Sequence, residues 1–367
     1  MTYLVFLGAM FFYLLYIAED ILKPVAFAVL LTLLLMPLCG FYQKKISITW
    51  AVSLTFVTVL IPLALLITLL SWQSVNVLDD LTAIGSKMRQ GLVQILQAVN
   101  GKFGISQTDS VGYLEDNIGA LLTTPITILT DGVSASTGVL ASVILTLIYT
   151  FLLLIYRSSI RMFILSQISE KNKNTAGRVL ESIRSVVQNY LSGMLTVMLI
   201  LGTLNSIGLM LLGVDYAFFW GFLAALLAII PYIGTVIGGL LPFLYSVATA
   251  ASLWQPVGVV ILFTTIQFIE GNLITPKIVG ESVKVNPLAA IFALVVGNAI
   301  WGIGGMIIAL PLMGILRVIF GHINYLKPVG LLLSSKLYYK NDRFAEVYDS
   351  DRFRLMNFFK PKEDEED

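Results

Sequence analysis

The fold class that this sequence predicts is an all-α integral membrane protein of about eight transmembrane helices, and three observations predict it. Its residues are 57% hydrophobic and 12% charged, with a mean hydropathy of +0.88, whereas soluble domains run at roughly 45–50% apolar and about 25% charged. Eight apolar regions follow one another along the chain. Two of them are much longer than one crossing needs and are interrupted by Gly and Pro. A chain with so little polar side-chain surface needs lipid as its solvent.

Each region follows from helix geometry. A helix rises about 1.5 Å per residue and the hydrocarbon core is about 30 Å thick, so roughly 20 residues cross it. The first two regions run from about Tyr3 to Leu22 and from about Val25 to Phe41, with an expected turn at Asp20, Lys23 and Pro24. The third is about Trp50 to Trp72, the fourth Val139 to Tyr156 and the fifth Tyr190 to Leu212. The sixth, Tyr216 to Leu253, and the eighth, Pro287 to Phe320, must tilt strongly, break or double back. The seventh runs from Pro256 to Ile274 and is expected to break at Pro276.

These regions imply a domain order. Residues 1–72 form three N-terminal spans, and 73–138 an extracytoplasmic helical insert. Residues 139–326 form a five-span core with a cytoplasmic helical loop at 157–189, and 327–367 a cytoplasmic tail. The insert is amphipathic: Val77, Leu81, Ile84, Met88, Leu92, Ile95 and Val99 recur at spacings of three and four, and Leu114, Ile118, Leu121 and Leu122 give a shorter second pattern. The tail ends in P-K-E-D-E-E-D, a solvated acidic segment.

Basic residues set the expected orientation. Lys44 and Lys45 lie in one short connection, and Arg157, Arg161, Lys171, Lys173, Arg178 and Arg184 in another. The insert instead has Lys87, Arg89 and Lys102 against Asp79, Asp80, Asp109, Glu115, Asp116 and Asp131. Positive-inside logic places the first two in the cytoplasm and the insert outside, so eight crossings put both termini in the cytoplasm. The apolar N-terminus has no preceding Lys or Arg and no small-residue cleavage pattern, so a retained span is expected.

Composition and motifs also exclude chemistries. A net charge of +1 argues against nucleic acid as a partner, since a phosphate-neutralising face needs clustered Lys and Arg. The single cysteine, Cys39, is expected to be a buried small hydrophobe, and the single histidine, His322, an interfacial polar group or else a pH-sensing one. No phosphate-cradling loop, zinc-spaced ligand set or nucleophile elbow is present, so neither a cofactor, a metal nor an enzymatic activity is expected. Any transport would draw on a gradient rather than on ATP bound to this chain.

The candidate functional residues are polar groups beside helix breaks, a placement that marks substrate and ion pathways in membranes. Region seven carries Gln267, Glu270 and Asn272; Gln267 and Glu270, three apart, share a helix face. Asn286 and Asn298 add polar groups near region eight. Glu270 contacts a cation, proton or polar substrate, or else forms an ion pair with Lys277 or Lys284. Region six is interrupted by Pro231, Gly234, Gly238 and Gly239, and region eight by Gly302, Gly304, Gly305 and Pro311; Pro276 and Pro287 bound the connection between seven and eight. These breaks line a pathway or are packing kinks, with Gly234 and Gly238 at the four-residue spacing of close helix approach. Asp215 reads as a solvated turn residue.

In this order the motifs resemble a known family. Q-F-I-E-G-N-L-I-T-P-K-I-V-G from Gln267, V-N-P-L-A-A-I-F-A-L-V-V-G from Val285, W-G-I-G-G-M-I-I-A-L-P from Trp301 and, upstream, I-I-P-Y-I-G-T-V-I-G-G-L-L-P from Ile229 resemble the autoinducer-2 exporter family of bacterial permeases. The resemblance covers about residues 3 to 325, with its specific motifs in residues 229 to 311. It implies an eight-span bacterial inner-membrane protein and a homo-oligomer such as a pentamer. Some members of the family export autoinducer-2; others exchange sodium or another cation for protons. The matching positions are Pro231, Gly234, Gln267, Glu270, Pro276, Pro287, Gly304, Gly305 and Pro311. Three functions are therefore open: export of a small polar metabolite such as autoinducer-2, cation/proton antiport, and a non-transporting oligomeric scaffold that recruits partners through the insert and tail.

Overall fold

A computed structural model describes residues 2–73, 137–230, 233–250, 252–279 and 282–335. The amphipathic insert, Pro231 and the acidic tail fall outside these residues. Among the described residues the regular elements are helices, and the only strand-like pairing is an isolated antiparallel bridge between Val285 and Ser334. Six helices are long and apolar enough to cross a membrane, and shorter apolar helices accompany them. Between 11% and 33% of the residues in their most apolar windows are buried, so most of their side chains are at least partly exposed. An outward apolar surface is stable against lipid and not against water. The protein is an all-α membrane protein whose described helices are consistent with about eight spans.

The chain forms two compact units. One comprises Met1–Thr55, Ser142–Gly193 and Val279–Asp367, and the other Phe56–Ala141 and Met194–Ile278. Helices α3 (Ile48–Gln73), α4 (Thr137–Ser166) and α5 (Glu170–Leu211) contribute residues to both.

The first unit begins with α1 (Thr2–Ile17) and α2 (Glu19–Gln43). The junction is the single residue Ala18, not the expected turn at Asp20 to Pro24. Asp20, Lys23 and Pro24 lie inside α2, where Glu19 and Lys23 pair one turn apart and acids in the first turn suit the helix dipole. Pro24 lies just past the first turn, where its missing N–H leaves the Asp20 carbonyl without its intrahelical donor. Arg157 Nη1 on α4 donates to the buried Cys39 Sγ at 3.0 Å, and Nη2 to Gln43, tying α4 to the end of α2. Leu30, Val187 and Ile308 form the buried core of this unit, with Phe27, Leu191 and Trp301 packed around it.

Helix α10 (Pro287–His322) also belongs to this unit, and it is not straight. Trp301 (φ −132°, ψ 20°) and Gly302 (φ 59°, ψ −140°) leave the helical region, and Gly302 occupies a conformation that residues with a Cβ rarely adopt. A Cβ placed on Gly297 would sit 2.5 Å from the Gly305 oxygen and 3.2 Å from the Ala309 Cβ. In a continuous helix residues eight and twelve apart would be about 12 and 18 Å distant along the axis. The two arms therefore fold back on each other as an antiparallel hairpin about residues 301 and 302. The arm before the tip spans about 21 Å and the one after it about 30 Å, so the first is short for a full crossing. Trp301 Nε1 donates to the Leu15 carbonyl at 2.9 Å and pins the tip to α1. At the open end, α11 (Lys327–Leu333) packs back on the second arm, where Gly330 lies against Gly321.

The second unit holds the other long region, which is also a hairpin. Helix α5 ends where the Val214 amide reaches Leu209 O at 3.0 Å and the Gly213 amide reaches Met210 O at 3.0 Å, with Gly213 at φ 71°. This is the glycine-dependent Schellman stop. Helices α6 (Ala217–Leu227) and α7 (Ile233–Thr249) then run antiparallel. A Cβ on Gly238 would stand 2.9 Å from Ala224 Cα, one on Gly234 would overlap the Leu227 carbonyl, and Trp220 meets Tyr245 with ring centroids 5.3 Å apart. Gln73 Oε1 from α3 accepts the Phe219 amide at 3.0 Å, capping α6 where its own N-cap residue, Tyr216, supplies no side-chain bond. Helix α8 (Trp254–Ile269) packs on α7, with Phe263 beside Gly239.

The hairpin reading of α10 reverses the usual effect of replacing helical glycine. In a regular helix Gly→Ala stabilises by about 1 kcal/mol. Here Gly305→Ala should destabilise by about 2 kcal/mol or more, since the new methyl overlaps the Gly297 carbonyl. Gly304→Ala, whose Cβ would meet the flexible Lys23 side chain at 3.3 Å, should change stability by less than about 1 kcal/mol. Thermal unfolding of the purified variants in detergent measures both; stabilisation by both substitutions would mean a continuous helix. Gly302→Ala should cost about 1–3 kcal/mol in the same measurement from backbone strain alone.

Candidate functional site

The span that begins with α8 does not break at Pro276. After Ile269 the helix widens into a π-helical turn, Glu270–Ile274, and returns to α-helix as α9 (Thr275–Ile278), so the apolar span runs from Trp254 to Ile278. The Thr275 amide bonds to Glu270 O, five residues back. The wider turn explains how Pro276 is accommodated: in a regular helix its ring would clash with the carbonyl four residues before it. Pro276 brings no N–H, so the carbonyls of Gly271 and Asn272, one turn below, share one donor fewer. Single π turns inside helices recur at functional sites.

The π turn also organises the Glu270 carboxylate. In an α-helix residues five apart are rotated by about 140° and do not meet. Here Thr275 Oγ1 donates to Glu270 Oε1, and Gln267 Nε2 donates to Oε2 at 2.6 Å. The carboxylate is half-buried, while Gln267, Gly271 and Asn272 are exposed. Asn272 Nδ2 donates to the Phe268 carbonyl at 2.8 Å and so serves the backbone of its own helix. Lys277 is exposed and outside ion-pair distance of Glu270 among the described residues, and Lys284 belongs to the other compact unit. Glu270 is thus held by two neutral donors in an apolar helix, beside carbonyls short of donors.

Thr275 is the member of this cluster that sequence reasoning passed over. The only signal was the T-P dipeptide five residues after Glu270, which gains meaning once the turn is known to be π.

Most of the remaining predicted residues cap or pack within their own units. Asn286 is the N-cap of α10: its Oδ1 accepts the Ala289 amide at 2.8 Å, its Nδ2 donates to the Leu332 carbonyl, and Pro287 takes the first helical position. Asn298 is exposed on the first arm, before the tip. Gly302 makes the tip, Gly305 seals the arms, Gly304 faces Lys23 and Phe27, and Pro311 is buried in the second arm. Gly234 and Gly238 seal the α6–α7 hairpin, and Gly239 lies against Phe263. Among the described residues no group of three or more His, Cys, Asp or Glu could hold a metal ion.

Chemically, the Glu270 cluster offers carboxylate and hydroxyl oxygens together with an amide donor. Such a set can contact a small hydroxylated solute, or supply oxygens to a proton or a hard cation.

YrrI of Bacillus subtilis (strain 168), a candidate transport protein by name, is 35% identical over 143 residues, which is 39% of this chain and 40% of that one. YueF of the same organism is 25% identical over 355 residues, spanning 91% of this chain and 89% of its own. The AI-2 transport protein TqsA of Escherichia coli (strain K12) is 23% identical over 328 residues, spanning 86% and 90%. The model of the AI-2E family transporter matches residues 4–325, nearly the whole sequence, and the chain belongs to that family of membrane permeases.

Proposed function

We propose that this permease exports a small polar metabolite such as autoinducer-2 across the bacterial inner membrane, without ATP hydrolysis, as a homo-oligomer with both termini in the cytoplasm. The observation that carries the reading is the Glu270 carboxylate, kept in an apolar span by Gln267 and Thr275 without a basic partner among the described residues. A carboxylate is costly to hold in lipid and is retained where it meets a solute or water. Membership of the AI-2E family and the name of TqsA support the substrate class.

Cation/proton antiport is the second reading. It is favoured by the same lack of a basic partner, since among the described residues no cationic side chain occupies the carboxylate oxygens that a cation would need. Inverted vesicles with a pH-sensitive dye separate the two: a sodium- or potassium-dependent signal that Glu270→Gln removes would replace export by antiport.

Expression in a bacterial host lacking its own exporters, with autoinducer-2 followed inside and outside the cells, tests the leading reading. Glu270→Gln should abolish export at unchanged membrane levels of the protein; export at the native rate would remove Glu270 from the pathway. Thr275→Val keeps the side-chain shape and deletes one hydrogen bond to the carboxylate. It should slow export by about three- to tenfold, as expected for a charge-assisted bond in partial contact with solvent, and a wild-type rate would show that the π-turn cradle is irrelevant to transport.

A further inference from the structure

A cavity of about 920 Å³ opens in the first compact unit, between the polar start of α5, the 282–286 connection and the end of the α10 second arm. That volume falls in the range of small-molecule sites. Three cationic side chains from these three elements line it: Arg178, Lys284 and Arg317. Ser185, Asn189 and His322 complete its polar wall. The one carboxylate among the lining residues, Glu181, is turned to Arg184 at 3.7 Å, and none of the three cationic groups has a carboxylate partner among the described residues. Like charges gathered around one space repel unless something negative occupies it.

Two further observations point to a ligand. The Nε of Arg317 is buried and has no hydrogen-bond partner among the described residues, a costly state for a charged donor. Lys284 is held at φ 50°, a conformation that a side-chain-bearing residue adopts at a cost. A bracket of backbone bonds fixes it there: the Ser335 amide donates to Lys284 O at 3.0 Å and the Asn286 amide to Leu333 O at 2.9 Å. His322 Nδ1 lies 2.8 Å from the Val318 carbonyl, which can only accept, so this nitrogen carries the hydrogen and Nε2 is left for other contacts.

We infer that this cavity binds a phosphate-class oxyanion, supplied by an anionic lipid headgroup or by a free phosphorylated solute. The guanidinium groups of Arg178 and Arg317 present planar forks suited to phosphate oxygens, Lys284 adds a point charge, and the Ser185 hydroxyl is a further donor. This site is separate from the Glu270 cluster, which belongs to the other unit, and it does not depend on the export reading.

The test uses the purified full-length chain. Inorganic phosphate is titrated against it in neutral detergent by calorimetry, and phosphatidylglycerol retained from phosphatidylcholine nanodiscs containing that lipid is counted by native mass spectrometry. Arg317→Gln and Lys284→Asn are compared with the native protein; Asn tolerates the left-handed backbone at position 284, so the second variant keeps the fold if the first does not. Saturable phosphate binding that each substitution weakens by about tenfold supports a free phosphate. Retention of phosphatidylglycerol that falls in both variants, without phosphate binding, supports a headgroup. Binding of both probes that is absent, or equal in native and variant proteins, overturns the site.

Discussion

Lipid offers no hydrogen bonds, so a backbone that leaves its helix inside a membrane must find protein to satisfy and cover it. That constraint shapes both interrupted regions of this protein. Each break is a sharp return, and each return is closed by glycines against the facing backbone: Gly297 against Gly305 in one hairpin, and Gly234 and Gly238 against Leu227 and Ala224 in the other. With Cβ atoms at these positions the arms would be forced apart and the turn backbone laid open. A side-chain hydrogen bond ties each hairpin to a neighbouring helix of its own unit. Trp301 reaches Leu15 O, and Gln73 takes the Phe219 amide.

The same economy operates within the span that carries Glu270. A proline inside an ordinary span would kink it, yet this span continues through Pro276 to Ile278 because the preceding turn is π-helical. The widening that accommodates Pro276 is also what brings Thr275 over the Glu270 carboxylate. Helix irregularity and the polar cluster are thus a single feature, and a substitution that restored a regular helix would be expected to scatter the cluster. A polar cluster in an apolar span is costly to keep, which is why the proposed function rests on it.

Much of this was legible in the sequence, and the parts that were not have physical reasons. The class and the apolar spans follow from composition and length, which the bilayer reads directly. The motifs around Glu270 and Gly302 to Gly305 carried the family. Whether regions six and eight kink or double back was left open, because a break in periodicity does not give the angle of the break. Gly297, the partner that decides it for α10, looks from sequence like any glycine in an apolar run. Pro276 reads as a stop from sequence because proline usually is one, and a π turn has no pattern of its own to show otherwise. At the N-terminus the charged and proline residues of 20 to 24 drew the expected turn toward themselves, whereas the helix boundary is at the unremarkable Ala18. The basic cavity was invisible because its three cations are far apart in the chain.

The central claim is that the Glu270 face of its span meets water and solute rather than lipid. Labelling of a single cysteine tests it most directly. Cys39 is the one native cysteine and is buried, so Gln267→Cys on a Cys39→Ser background reports one position on the Glu270 face. Rapid modification of this cysteine by a charged, water-soluble thiol reagent, slowed by excess autoinducer-2, is the expected result. A cysteine that reacts only with a lipid-soluble reagent, at a rate the solute does not change, would place this face against the bilayer and contradict the claim.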